Sequence, residues 1–423
     1  MKIITNYILR HYKEARNGGQ VMLFRKLKRI IYFLTAPFFL VISIPIVFII
    51  RIIQPFIYIR ILELDSRRLG HFAGNTEMYL CEMENGIGIP PGKFVDLFYL
   101  QQPVCNNQLA RMWSRNIIIL PYFIMKPIDK LNNLFFGDCK YKIQSVVGWS
   151  NLLETSPIHL KFTNNEEIRG KKYLKKMGLD INSKFICLNV RDSAFLKHFF
   201  PGCNFDYHNY RDSDINNYVL AADELTKRGY FVIRMGAKVE KPLITKNPKI
   251  IDYACNGMRN DFMDVYLAAK CKFCISTSTG WDSLPLIFRR PIILVNYPEI
   301  KLLSTIQIDQ LFIPKHFLSK ENKKKLSLTE ILLNNNELSI EYFKSNGIEL
   351  QENSPEEICE VVIELDERLK KNWVSNDKDI ILQHKFRKII FSKELLNNNL
   401  YKIENNSAKI GTTFLKNNKI WAE

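Results

Sequence analysis

Residues 272–296, KFCISTSTGWDSLPLIFRRPIILVN, decide the fold. KFCIST (272–277) and PIILVN (291–296) are short apolar runs of the kind that form buried strands. Between them the loop Ser278-Thr279-Gly280-Trp281-Asp282-Ser283 opens the helix-like LPLIFRR (284–290). The same alternation extends upstream. FICLNVRDS (185–193), YFVIRMG (230–236) and PKIIDYA (248–254) read as strands, and NNYVLAADELTKRG (216–229) and FMDVYLAAK (262–270) as helices. A helix-like stretch at 165–177 stops at Gly178, and the aromatic-rich residues 194–213 read as a long loop. Strands alternating with helices at this spacing predict a parallel sheet covered by helices on both faces. Downstream, a short strand within 347–353 precedes a helix with Ser354 as N-cap, Pro355 in the first turn and Glu357 completing a capping box. The last 60 residues are helical and polar by pattern, with IGTTFLKNNKIW (410–421) expected to close onto the core.

A second α/β unit precedes this one. YIRILELD (58–65) reads as a buried strand and about 72–82 as a helix, with Gly70-His71 in the turn between them. VDLFYL (95–100) and NIIILPYF (116–123) extend the pattern. Ligands of such sheets sit at the carboxyl ends of the strands, so His71 is a candidate general base there, and Glu77 on the same helix a weaker one. The alternative for His71 is a cap or a packed side chain.

The chain has 423 residues and a formal net charge of +17. More than half of that excess lies in residues 1–60, where ten Lys/Arg face one acid, Glu14. They flank 21 uncharged residues, 30–50, which points to anionic lipid rather than nucleic acid. Pro37 and Pro45 interrupt that run. Two readings follow: a single spanning helix, or a kinked hairpin in one leaflet with Arg51 and Arg60 in the headgroup layer. The hairpin is preferred, because proline favours a bend. A buried core helix is the third possibility. Nine scattered cysteines do not form a disulfide framework and suit a reducing compartment. Cys271 and Cys274 form a lone CxxC inside a strand-like run, with no second ligand pair at zinc spacing.

Three strand ends carry chemistry suited to phosphate. Arg191 and Arg234 offer guanidinium forks, and residues 276–280 open a helix whose free N–H groups suit an anion. Together they suggest a ligand bearing a pyrophosphate, such as a nucleotide sugar, although each also reads as a surface ion pair or a plain cap. No GxxxxGK[ST] is present and no GxGxxG follows a strand, which disfavours P-loop NTPases and dinucleotide oxidoreductases. Asp212-Ser213-Asp214 has the form of a metal-binding DxD but directly precedes a helix, where N-capping explains it without a cation.

With these motifs in view, the chain resembles a family of bacterial glycosyltransferases associated with surface polysaccharide synthesis. The resemblance runs over about residues 58–415. It is carried by RLGHFAGNTEMYL (68–80), CLNVRDSAFL (187–196), YHNYRDSDINNY (207–218), GYFVIRMGAKVEKPL (229–243), residues 260–296 and NSPEEI (353–358). It implies two Rossmann-like domains of GT-B-like organisation behind an N-terminal membrane-associating helical segment. The boundaries implied are 1–57 for that segment, 58–175 on the acceptor side, 176–390 for the nucleotide-sugar domain and 391–423 for a helical extension. Carried over residue by residue, the donor-side motifs fall on Arg191, Asp192, Arg234, Gly236, Lys238, Asp261, Ser278, Thr279, Gly280 and Asp282. His71, Arg191 and Glu77 are the catalytic candidates. The expected activity is metal-independent transfer from a nucleotide sugar, as substrate and with no cofactor, to a surface polysaccharide or lipid-linked glycan. It would take place on the cytoplasmic face of a bacterial inner membrane, with anionic lipid and not nucleic acid as partner. Another group transferase on the same fold, or a non-catalytic nucleotide-binding membrane scaffold, are the alternatives.

Overall fold

The computed structural model describes residues 37–136, 143, 152–199, 204–300, 310–334, 339–390, 392 and 409–422. Two compact units are interleaved along the chain. One takes residues 1–65, 88–104 and 117–145, and the other 66–87, 105–116 and 146–423.

In the first unit, β1 (Tyr58–Leu64), β2 (Phe94–Leu100) and β3 (Ile118–Leu120) form a parallel sheet in that order. β3 is shorter than the apolar run 116–123 suggests. Pro121 has no N–H for the ladder and instead leads into the helix Tyr122–Phe136. Residues 37–53 are helical and continue through Pro45 without interruption. The helix is therefore not broken at that proline, and the part of the uncharged run before residue 37 lies outside the described residues. Among the described residues no helix is long and apolar enough to cross a membrane. Val47 and Ile50 of the 37–53 helix join Ile61, Tyr99, Met125, Ile128 and Leu131 in one apolar core. Arg60, expected at a membrane surface, is instead buried in this unit. It grips both carboxylate oxygens of Asp96 at 2.5 Å and donates to the Gly88 carbonyl at 2.6 Å.

The second unit holds a seven-stranded parallel sheet of order β12-β9-β8-β7-β4-β5-β6. Its strands are β4 (Lys184–Asn189), β5 (Tyr230–Arg234), β6 (Ile250–Asp252), β7 (Cys274–Ser276), β8 (Ile292–Leu294), β9 (Leu311–Phe312) and β12 (Lys409–Ile410). β7 and β8 are buried at every residue, as expected where helices cover both faces. The CxxC is part of this interior: Cys271 and Cys274 are both buried, and burial holds the Cys274 thiol well above its ordinary range. A small antiparallel pair, β10 (His316–Ser319) with β11 (Ile348–Gln351), stands apart from the main sheet. The capping box Ser354/Glu357 forms at the start of the helix Pro355–Leu369. Residues 194–213 are not all loop: Ala194–Phe199 is helical and Asp206–Arg211 a 3-10 turn. The aromatic residues there obscured the short periodicities.

Candidate functional site

The chain runs from β4 outward to β5 and β6, then returns to lay β7 on the other side of β4. The reversal leaves a switch point between β4 and β7, where open α/β sheets place their ligands. Asn189 and Ser276 are register partners at that carboxyl edge. Past them, Arg191 donates its backbone N–H to Thr277 Oγ1 at 2.9 Å, joining the two strand ends.

The loop after β7 is built around Asp282. Its carboxylate accepts from Ser276 Oγ at 2.6 Å, the Thr279 N–H at 2.7 Å and Asn189 Nδ2 at 3.2 Å. Burial pushes this carboxyl up while those donors pull it down, and burial wins. Asp282 thus sets the loop's shape. Ser278 takes a left-handed backbone with φ 64°, and its carbonyl accepts from Arg211 Nη2 at 2.6 Å. Gly280 lies against Gly70 backbone to backbone. A Cβ on Gly70 would come within 3.0 Å of the Gly280 Cα. His71 is the next residue, half-buried in the first turn of the helix Leu69–Glu84, so the switch-point loop and the His71 turn meet within one unit.

A cavity of about 610 Å³ opens at the carboxyl ends of β4 and β5. Val190, Ile215, Phe343, Ile348 and Leu350 supply an apolar wall, while Asp192, Asp212, Asp214, Arg234, Lys241, Lys315 and Glu352 bring charge. Arg191 forms an ion pair with Asp212 and donates to the His208 carbonyl at 3.2 Å. Burial pushes the Asp212 carboxyl up to about 6, against the pull of Arg191. Lys315, only 4% exposed, donates to the Asp212 carbonyl at 2.6 Å, and burial lowers its pKa. Asp214 accepts from the Asn216 N–H at 2.9 Å, the capping role read from the sequence, and pairs with Lys241 at 2.7 Å. Glu352 fastens the same segment by accepting from Ser213 Oγ at 2.7 Å and Asn217 Nδ2 at 3.0 Å.

The structure brings Arg191, Asp192 and Arg234 to this edge but gives them different duties. Arg234 is 1% exposed, and its Nη1 is held by the Lys241 carbonyl at 2.8 Å and Asp252 at 3.1 Å. One arm of its fork is thus engaged inside the fold, while the residue still lines the cavity and its Nε is buried without a protein partner. Asp192 caps local backbone, accepting from the N–H groups of Ala194 at 3.0 Å and Glu240 at 2.9 Å. Gly236 adopts φ 152°, and a Cβ there would meet Val239 at 2.6 Å, so it shapes the turn after β5. Lys238 is exposed, outside the residues lining the cavity. Asp261 accepts from the Asn107 N–H at 2.8 Å, capping a neighbouring helix of its own unit. Glu77 is fully buried. Arg289 lies 2.8 Å and His159 3.0 Å from its carboxylate, which makes it an anchor of its helix and takes it out of reach of an acceptor. Lys315 was missed because β9 is only two residues long. The signal was there in LFIPK (311–315), a buried apolar run ending at a cation.

No family model matches the chain, and no curated protein does. Among solved structures, it is similar to E. coli ADP-heptose lps heptosyltransferase II at 14% identity, with 56% of this chain and 84% of that one covered and a TM-score of 0.35. Several of the neighbours are sugar transferases. A family 9 glycosyl transferase from Veillonella parvula DSM 2008 matches at 10% identity over 56% of this chain and 79% of its own, with a TM-score of 0.34. E. coli heptosyltransferase WaaC with ADP matches at 12% over 61% and 91%, with a TM-score of 0.26. Identities and scores this low carry no functional argument.

Proposed function

We propose that the chain is a GT-B-like glycosyltransferase that takes a sugar from a nucleotide-sugar donor. The observation that carries this is a cavity with an apolar wall and a charged wall of both signs, set at the carboxyl edge of a parallel sheet beside its switch point. An apolar wall suits a nucleobase, while Lys241 and Lys315 in the lining, with Arg191 at the adjoining end of β4, suit a diphosphate. In transfer, the bond between the sugar's anomeric carbon and the diphosphate oxygen breaks, and negative charge grows on that oxygen. Cations already in place stabilise this charge without reorganising. Arg191 is held ready by Asp212 and by its backbone bond to Thr277. His71 takes the proton of the acceptor hydroxyl, in a turn fixed against the switch-point loop by the Gly70–Gly280 contact. Asp214 is committed to a cap and to Lys241, which favours a metal-independent reaction. The acceptor is a surface polysaccharide or lipid-linked glycan, handled on the cytoplasmic face of a bacterial inner membrane where nucleotide sugars are made.

Titration of the full chain with a panel of nucleotide sugars, followed by a sugar-release assay, tests this. One donor should bind, and turnover should survive EDTA. Arg191→Ala should weaken donor binding by about 10–100-fold, the loss of a charge-assisted contact. His71→Ala should keep donor affinity and lose about 10²–10⁴ in turnover. Donor binding without turnover in the native chain would favour the scaffold reading. Unchanged donor binding in folded Arg191→Ala protein would remove the diphosphate from this edge.

A further inference from the structure

The 37–53 helix of the first unit is apolar on the wrong side. Ser43, Val47 and Ile50 turn inward, at the spacing of one helix face. A helix of a water-soluble domain carries polar residues on the opposite face. This one carries Phe38, Val41, Phe48, Ile49 and Ile52, with Phe48 57% and Ile52 70% exposed, and Phe56 just beyond it is 81% exposed. The surface continues onto the helix Tyr122–Phe136, where Phe123 and Ile124 are exposed and the Phe123 ring lies 5.2 Å from that of Phe39. An exposed apolar surface of this kind marks an interaction site.

We infer that this two-helix surface is a monotopic membrane platform, seated in one leaflet of an anionic phospholipid bilayer. Charge selects the occupant. From Ala15 to Leu62 the chain has no Asp or Glu, while Arg16, Arg25, Lys26, Lys28, Arg29 and Arg51 lie in that interval. A second copy docked on the face would bring two such cationic stretches together. An anionic leaflet takes both the apolar face and the basic residues. Geometry selects the mode. The inner face of the helix, Val47 and Ile50, is fastened to the core of its own unit, while the opposite face is apolar and exposed along its length. The helix therefore lies along the leaflet instead of crossing it. This rests on the membrane part of the proposed function and not on its chemistry.

Flotation of the full chain with vesicles tests it, comparing phosphatidylcholine alone with phosphatidylcholine containing phosphatidylglycerol. The native protein should float with the anionic vesicles and resist extraction at alkaline pH. The triple variant Phe48→Ser, Ile49→Ser, Ile52→Ser alters only exposed side chains and should lower partitioning by more than about tenfold. If that variant loses its cooperative thermal transition, Phe123→Ser with Ile124→Ser reads the same surface from the neighbouring helix. Three results would each overturn the platform. The serine variants float like the native chain, so residues 1–36 carry the binding. The native chain stays in the aqueous phase. Or the native chain is a dimer that the serine variants turn into monomers, without either floating. Donor titration of the same variants in detergent keeps the two proposals apart, since donor binding should be unchanged whichever way flotation falls.

Discussion

At the scale of single residues, the cavity's behaviour turns on Asp212. Its carboxyl, pushed up to about 6 by burial, lines the cavity and pairs with Arg191 at the end of β4. As the pH falls through about 6, Asp212 takes a proton and ceases to neutralise Arg191. Affinity for a nucleotide sugar, whose diphosphate diester does not itself titrate there, should therefore rise several-fold between pH 7.5 and 5.5. His208, its pKa lowered by burial, gains charge in the same direction, so the control is Asp212→Asn. That variant should bind the donor more tightly at pH 7.5 and lose most of the pH dependence. Calorimetric titration at the two pH values checks it, and a native affinity that falls on acidification would contradict the assignment. Arg191 was legible in the sequence because a cation ending a strand is conspicuous. That Arg234, equally conspicuous, is enclosed was not legible, since its partner Asp252 and the Lys241 carbonyl come from a strand and a loop whose folding decides the contact.

At the scale of elements, the helix Leu69–Glu84 is positioned by two contacts of different character. Gly70 fixes its start by backbone contact, and Glu77 fixes its middle by charge. His159 bridges Glu77 at 3.0 Å and Glu84 at 3.3 Å. Burial alone would lower the His159 pKa, but the two carboxylates outweigh it and the net shift is upward. A histidine pKa raised in the folded state means the folded protein holds the proton more tightly than the unfolded chain. The resulting stability is fully present below the ordinary histidine value of about 6.5 and is lost as the pH rises through the raised value. The melting temperature should thus fall over the interval above about pH 6.5, and His159→Gln should flatten that fall while lowering stability at pH 6. Thermal denaturation of both proteins from pH 5.5 to 8.5 measures it. The helix itself was readable from its apolar pattern. Its anchors were not, because Glu77, His159 and Arg289 lie far apart in sequence and only the fold brings them together.

At the scale of the whole molecule, local alternation along 185–296 made the parallel sheet readable, since each strand announces itself by a buried run and each helix by its period. What closes the sheet is non-local, and the chain gives it only weak signals. β12 is a two-residue strand drawn from beyond residue 400, and it lies parallel to β9 at the sheet's outer edge. Behind it Phe414, Leu415 and Trp421 are buried in the main core, so the expectation that 410–421 closes onto the core is met. The closure also serves a buried charge. The Glu364 carboxylate accepts from the Thr412 N–H at 2.6 Å and Thr412 Oγ1 at 2.7 Å, with Arg368 at 2.7 Å. Ending the chain after residue 408 would expose the edge of β9, uncover the pocket that holds Trp421 and strip two donors from Glu364. Losing a large buried aromatic costs about 3–5 kcal/mol, and removing donors from a buried charge adds about 1–3 kcal/mol. Against a total stability of about 5–15 kcal/mol, these losses remove most of the margin. Thr412→Val should separate the two effects, keeping β12 and Trp421 while removing one hydroxyl donor, and should cost about 1–2 kcal/mol. Denaturant unfolding of the truncated and Thr412→Val chains is the measurement. A truncated chain that unfolds at the native midpoint would show that the terminal segment rides on the sheet without completing it.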